Sequence, residues 1–361
     1  MTSKQRIYIA VTSDLTTDQR VLKIAGSFHR KGWDVYLIGR LLPASQPVHT
    51  SFRHLRMRLL FNTGALFYAE YNFRLFLQLL TGRYDTVYAN DTDTLAAGYL
   101  ASRIRRKQLI FDAHELFPEV PELHDRPFVK SVWQKLEDRI VPRLTKSVTV
   151  CDSIAEYYRN RYGITMQVVR NVPYLRTSTD KIALPVPPGK KIILYQGALN
   201  TGRGLEWVIE AMPLVNNAVL YIIGDGDIGH LLKKRTAELG LNEKVIFHGK
   251  VPARELHRYT ASAHIGLCLL ENKGLSYYYA LPNRIFDYMH AGVPVLSSPF
   301  PEIKKIVETY NTGVLTSDYS PEGLAATLNS MLNREFPTAH FSTVSENFCW
   351  EKEEELLFKL I

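Results

Sequence analysis

The chain has 361 residues, of which 46% are hydrophobic, so it exceeds one comfortable core and can bury two of ordinary domain size. Three widely spaced cysteines, Cys151, Cys268 and Cys349, exclude a disulfide framework or a zinc cluster, and no apolar run reaches the roughly 18–20 residues that a membrane-spanning helix needs. The net charge of +8 is uneven, with about 26 basic against 17 acidic side chains in residues 1–180 and near balance after them, which suits either a solvated basic face or an anionic partner.

The first residues lead into an apolar strand at 7–11 without a signal-peptide pattern, so a cytoplasmic protein is expected. Asp18 is placed to cap the helix that follows. Short β-branched and aromatic runs at 7–11, 35–38, 86–89, 109–111 and 147–150 alternate with helical patterns, the rhythm of βα units and a parallel sheet. Residues 52–80 set Arg53, Arg56, Arg58 and Arg74 among Phe, Tyr and Leu. This reads as a basic, aromatic-rich helical region, whose apolar positions run too far around for a clean interfacial face and favour burial against the sheet over contact with anionic membrane. Asn90-Asp91-Thr-Asp93 ends one strand, and His114 with Glu115 follows another, where an imidazole can donate to a hydroxyl or assist proton transfer.

Prolines and polar residues over 170–190 resist regular structure and mark a hinge. A second α/β series follows, with strands at 192–195, 219–223, 245–247, 265–269 and 293–296. Residues 195–204, Tyr-Gln-Gly-Ala-Leu-Asn-Thr-Gly-Arg-Gly, pass from strand through a glycine loop to a helix start, which brings backbone amides and Arg203 toward an anion. In 281–298, Leu-Pro-Asn-Arg-Ile-Phe-Asp-Tyr-Met-His-Ala-Gly-Val-Pro-Val-Leu-Ser-Ser, Pro282 suits the first helical position and Gly292 the left-handed residue past the last turn. Arg284 and Asp287 share a face of that helix. They suit a diphosphate and a ribose diol, or else an ordinary intrahelical ion pair.

The 281–298 segment resembles the donor-site signature of retaining GT-B glycosyltransferases of family four, in the subgroup reading Pro-Asn-(Lys/Arg)-hydrophobic-Phe-(Glu/Asp)-Tyr-Met and then Ala-Gly-X-Pro-Val. The resemblance implies two Rossmann-like doubly wound domains facing across a cleft: an acceptor-binding domain at 1–175, rejoined by a C-terminal helix at about 345–361, a linker at 176–190, and a nucleotide-sugar domain at 191–344. It implies a donor site of Gly197, Arg203, Lys250, Val251, Tyr278, Tyr279, Leu281, Asn283, Arg284 and Asp287, with the base near Lys250 and Val251. The His-Glu pair, Asn90-Asp91 and the Asp-Gln-Arg-Val opening of the first helix also resemble the subgroup, which implies acceptor contacts from Asp14, Arg20, Asn90, Asp91, His114 and Glu115. His114, Arg203 and Arg284 are the expected catalytic residues, the cations replacing a metal, and neither metal nor cofactor is expected.

Two departures stand out. Ala198 occupies the position of the family's usual first arginine, and Tyr279 that of the carboxylate facing the donor sugar, for which Glu271 is the available substitute. The activity implied is transfer of a sugar from a UDP- or GDP-sugar to a glycan or lipid-linked acceptor, in cell-surface polysaccharide, lipopolysaccharide or glycolipid synthesis. Peripheral contact with the inner face of the plasma membrane, and no contact with nucleic acid, go with it. A non-catalytic nucleotide-sugar-binding protein and a GT-B sugar-nucleotide epimerase are the alternatives.

Overall fold

The computed structural model describes residues 4–16, 18–43, 45–176 and 180–361. Contacts divide them into two units, Met1–Arg170 with Glu354–Ile361, and Asn171–Glu353. Residues 177–179 of the expected linker lie outside the described residues, and 180–190 carry neither helix nor strand.

The first unit holds β1 (Arg6–Asp14), α1 (Gln19–Arg30), β2 (Asp34–Arg40), β3 (Arg53–Met57), α2 (Gly64–Thr81), β4 (Thr86–Asn90), α3 (Thr92–Arg105), β5 (Gln108–Ala113), α4 (Pro127–Ile140), β6 (Ser147–Thr149), α5 (Asp152–Tyr162) and β7 (Gln167–Val168). Its parallel sheet runs β3-β2-β1-β4-β5-β6-β7, with Ile7 in register with Val35 on one side and Thr86 on the other. Ile7, Ile9 and Ala10 are fully buried, as a central parallel strand covered on both faces requires. Asp18 caps α1 by accepting from Val21 N at 3.1 Å. The region expected to be helical throughout 52–80 divides. Arg53–Met57 is an edge strand paired with β2, where Arg53 and Arg56 meet the carboxylates of Asp34 and Asp14, and only Gly64–Thr81 is helix. Within α2, Phe67, Tyr71, Leu75 and Leu79 recur every fourth residue and bury one stripe.

The second unit follows the same plan with β8 (Lys191–Gln196), α6 (Leu205–Ala211), β9 (Ala218–Ile223), α7 (Gly229–Glu238), β10 (Val245–Gly249), α8 (Ala253–Thr260), β11 (Ile265–Cys268), α9 (Leu275–Tyr278), α10 (Asn283–His290), β12 (Val295–Ser297), α11 (Pro301–Tyr310), β13 (Gly313–Leu315), α12 (Pro321–Leu332) and α13 (Thr338–Asn347). Its parallel sheet runs β10-β9-β8-β11-β12-β13. Helix α14 (Trp350–Phe358) begins in this unit, where Trp350 N donates to Pro173 O at 2.8 Å, and its last turn belongs to the first unit.

In each sheet the strand order reverses direction once, at β1/β4 in the first and β8/β11 in the second. Ligands of open α/β sheets gather at the carboxyl ends of the strands beside such a reversal. Among the described residues, no helix is long and apolar enough to cross a membrane.

Candidate functional site

In the second unit, the ends of β8, β9 and β10 each turn on a glycine: Gly197 (φ 134°), Gly224 (φ 140°) and Gly249 (φ 87°). Gly197 N donates to Ile223 O at 3.0 Å, and Gly224 N to Gly249 O at 2.9 Å. A Cβ on Gly224 would sit 1.8 Å from the carbonyl oxygen of Gly197, so the two strand ends approach as closely as backbone allows. Beside them lies a hollow of about 520 Å³, bordered by Gly224, Asp225, His230, Lys233, Phe247 and Lys250. Lys250 is exposed and 3.4 Å from Asp225, and Val251 follows it half-buried.

Arg284 stands in the first turn of α10 but is only 9% exposed. Its guanidinium lies 4.6 Å over the Tyr195 ring and 3.6 Å from where a Gly197 side chain would begin, beside the loop that carries Ala198. Arg203 lies 4.7 Å over Tyr277. Burial pushes the Cys268 thiol at the end of β11 up, while Arg284 and Arg203 are both near enough to pull it the other way, so the two cations share the β8/β11 reversal. Nη1 of Arg284 and Nε of Arg203 are buried without a hydrogen-bond partner. Buried donors are ordinarily satisfied, and two such orphans on neighbouring cations describe a place for an anion.

The intrahelical ion pair is not what forms on α10. Asp287 accepts instead from Gln196 Nε2 at 3.0 Å, and Thr260 donates to Gln196 Oε1 at 2.7 Å. Gln196 escaped the sequence reading, although its place just before the glycine loop was the available signal. Pro282 is the residue before the helix, not its first residue, since its ψ of 132° is extended; no side chain caps α10 there, and Asn283 opens it exposed. Gly292 takes φ 70° after the last turn. Leu281 is buried, Tyr278 packs 5.4 Å from both Tyr279 and Phe300, and Glu271 lies against the Arg203 turn, its N donating to Gly202 O and its carboxylate pairing with Lys273 at 3.1 Å.

In the first unit, the β1/β4 reversal gathers a charged cluster. Arg20, expected to meet an acceptor, is instead buried. It grips Asp112 through Nε at 3.0 Å and Nη2 at 2.9 Å, and reaches Val169 O at 2.7 Å. Asn90 is likewise fully buried and donates to Ala10 O, and Asp14 is held by Arg56, Ser45 and Thr16 N. These three support the strand ends and present no open surface.

What faces outward is Asp91 with His114. Asp91 takes φ 58° and ψ 168°, a conformation costing a non-glycine residue about 1–3 kcal/mol and found mostly at functional sites. Its Oδ1 accepts from His114 N at 2.8 Å, and its Oδ2 lies 3.1 Å from His114 Nδ1. His114 Nε2 lies 3.3 Å from Asp112, too poorly aligned for a hydrogen bond. Burial would lower the imidazole, but Asp91 and Asp112 override it and hold it well above its ordinary value. This environment favours the charged imidazole, which donates and does not accept, so of the two expected uses of His114, donation to a hydroxyl is the one it supports. Asp112, which burial alone would push up, is held well down by Arg20 and His114. Asp93 accepts from Thr12 Oγ1 at 2.5 Å across the reversal, while burial, with Asp91 alongside, pushes it up to about 8. The sequence reading missed Asp93, Thr12 and Asp112 as partners because their meeting depends on strand order. Glu115 is half-buried next to His114.

Residues 18–173 match the family model described as Glycosyltransferase Family 4, and residues 177–345 the one described as Glycosyl transferases group 1. Between them only 1–17, 174–176 and 346–361 are unmatched. An uncharacterized glycosyltransferase of Methanocaldococcus jannaschii is 27% identical over 189 residues, which make up 49% of this chain and 47% of that protein; the chain thus spans about half the length of this curated relative. The structure of a sucrose-phosphate synthase from Thermosynechococcus elongatus matches with a TM-score of 0.79 at 17% identity, over 99% of this chain and 98% of that one. An Anabaena protein, HepE, in complex with UDP-glucose gives 0.72 at 15%, over 98% and 99%. Identities this low speak for the fold alone, and that fold is GT-B.

Proposed function

We propose that this chain, whose two domains each match a glycosyltransferase family model on a GT-B frame, is a glycosyltransferase that moves a sugar from a nucleoside diphosphate to an acceptor hydroxyl with retention of configuration. The observation that carries this reading is the pair of guanidiniums, Arg284 buried and Arg203 half-buried, each with a buried donor unmet, beside the glycine loop of β8. Their charge and the uncapped first turn of α10 stabilise the diphosphate as it leaves, work that preorganised donors do in a buried site without reorganisation. No metal or cofactor enters the scheme. Asp287, steadied by Gln196, takes the ribose hydroxyls, and the hollow beside Lys250 takes the base. Attack comes from the face the diphosphate leaves, with the departing phosphate accepting the acceptor's proton. His114 contributes as a donor and a cation. HepE's complex with UDP-glucose makes UDP the first donor nucleotide to try. The acceptor is a growing cell-surface glycan or glycolipid.

Thermal melting with UDP, GDP, ADP or CDP tests the donor half. A ligand at 100 times its Kd stabilises the folded protein by about 2.7 kcal/mol, enough to shift the midpoint by a few degrees. The shift is expected with one nucleotide and is lost in Arg284→Ala. No shift with any of the four, or a shift that Arg284→Ala keeps, removes the basis of the reading.

A further inference from the structure

The chain of hydrogen bonds that steadies Asp287 begins one residue behind Gln196, at Thr260. Gln196 ends β8 and Thr260 ends α8; both are buried, whereas Asp287 on α10 is half-buried. A carboxylate offers only acceptors, so the Gln196 atom 3.0 Å from Asp287 Oδ2 is the amide nitrogen. That turns Gln196 Oε1 toward Thr260 Oγ1, 2.7 Å away, and an amide oxygen there can only accept. Thr260 therefore gives its single hydrogen to Gln196, although Leu256 O lies 2.9 Å from the same hydroxyl. The chain has one direction, from hydroxyl to amide to carboxylate.

The backbone at Gln196 is pinned from the same helix. Tyr288, next to Asp287, is fully buried; its hydroxyl accepts from Gln196 N at 3.2 Å and donates to Leu194 O at 3.1 Å. The ring lies so close to β11 that a Cβ on Gly266 would fall 2.3 Å from Tyr288 Cγ. Two successive residues of α10 thus hold Gln196 by its side chain and by its main chain. A buried amide bonded at both ends has one favourable orientation, since turning it over sets its oxygen against the carboxylate.

We infer that Thr260 and Gln196, by locking Asp287, make the site select a ribonucleoside diphosphate over its 2′-deoxy counterpart, an inference that rests on the donor site proposed above. A ribose presents two vicinal hydroxyls, both donors, and a fixed carboxylate beside it accepts them as a pair. A 2′-deoxyribose presents one. A carboxylate free to turn would follow the remaining hydroxyl and lose little, whereas one locked from behind is left with an acceptor unmet. Donors built on thymidine diphosphate, whose sugar is 2′-deoxyribose, are therefore a class that this site disfavours. Thr260 and Gln196 act through Asp287 and are positioning residues.

The test is calorimetric titration of the full chain with UDP and 2′-deoxy-UDP, or with the matching pair of whichever nucleotide shifts the melt. The parent is expected to bind the ribonucleotide about tenfold tighter or more, the size of one hydrogen bond to a charged group. Thr260→Val keeps the shape and drops the hydroxyl. It should cut that ratio below about threefold with the deoxynucleotide affinity kept, and Thr260→Ser should restore it. Gln196→Met, which keeps the length and drops both polar groups, should lower the ratio in the same way, so a Thr260→Val that does not fold leaves the test intact. A parent that binds both nucleotides alike, or variants that keep the ratio, would overturn the inference. An equal loss of both nucleotides would overturn it too, by showing a merely structural role. Silence from all four ribonucleotides and their deoxy counterparts is a different result, which removes the donor site itself and the inference with it.

Discussion

Three neighbouring residues, Asp91, Asp93 and His114, occupy one strand-end cluster, where Asp93 and His114 are both pushed up from their ordinary values. Asp93 is held near 8 against an ordinary 3.8, so between those values the folded protein binds more protons than the unfolded chain. Its contribution to stability is therefore full below about pH 4 and declines as pH rises through 8. His114, raised above 6.5, adds a decline of the same sign. In Asp93→Asn, which keeps an uncharged side chain against Thr12, amide exchange in β4 and β5 should lose part of its rise between pH 6 and 9. A profile parallel to the parent's would show that Asp93 is not the titrating group. Sequence reading found His114 and Asp91 because each follows a strand end, a local signal. It misplaced Arg20 and Asn90, since nothing local shows that Arg20 meets Asp112, ninety-two positions away, instead of solvent.

The elements were legible where hydrophobic runs are continuous, as in the central strands β1, β4, β8 and β9. They were not legible at the sheet edges. Strand β3 reads Arg-His-Leu-Arg-Met, its apolar content diluted by the arginines an edge strand tolerates, and β7 has two residues; neither is visible in periodicity. Gly197 was read as loop chemistry, whereas its close approach to Gly224 emerges only once β8 and β9 are paired. That approach makes a sharp prediction. Gly224→Ala adds a methyl against the Gly197 carbonyl at a φ that L residues rarely adopt, and should cost about 2–4 kcal/mol in urea unfolding and abolish the nucleotide shift. A stable variant that still binds nucleotide would mean that the strand ends can separate without loss.

On the scale of the whole chain, the first unit is discontinuous. Its last eight residues come from the far end of the sequence, and they bring Glu354 to Ser27 and Arg30 at 2.5 Å, and Phe358 edge-on to Phe28 at 5.8 Å. Deleting 354–361 removes fully buried Leu357 as well, which should destabilise the first unit by about 3 kcal/mol, with faster amide exchange in α1 and little change in β8–β10. Unchanged exchange in α1 would show that the segment is dispensable. The same discontinuity fixes an order of events on the ribosome. Residues 354–361 are made after all of 171–353, so the domain begun first is finished last. Until then α1 lacks Phe358 beside Phe28, and for that interval the N-terminal half is the one open to chaperones and proteases.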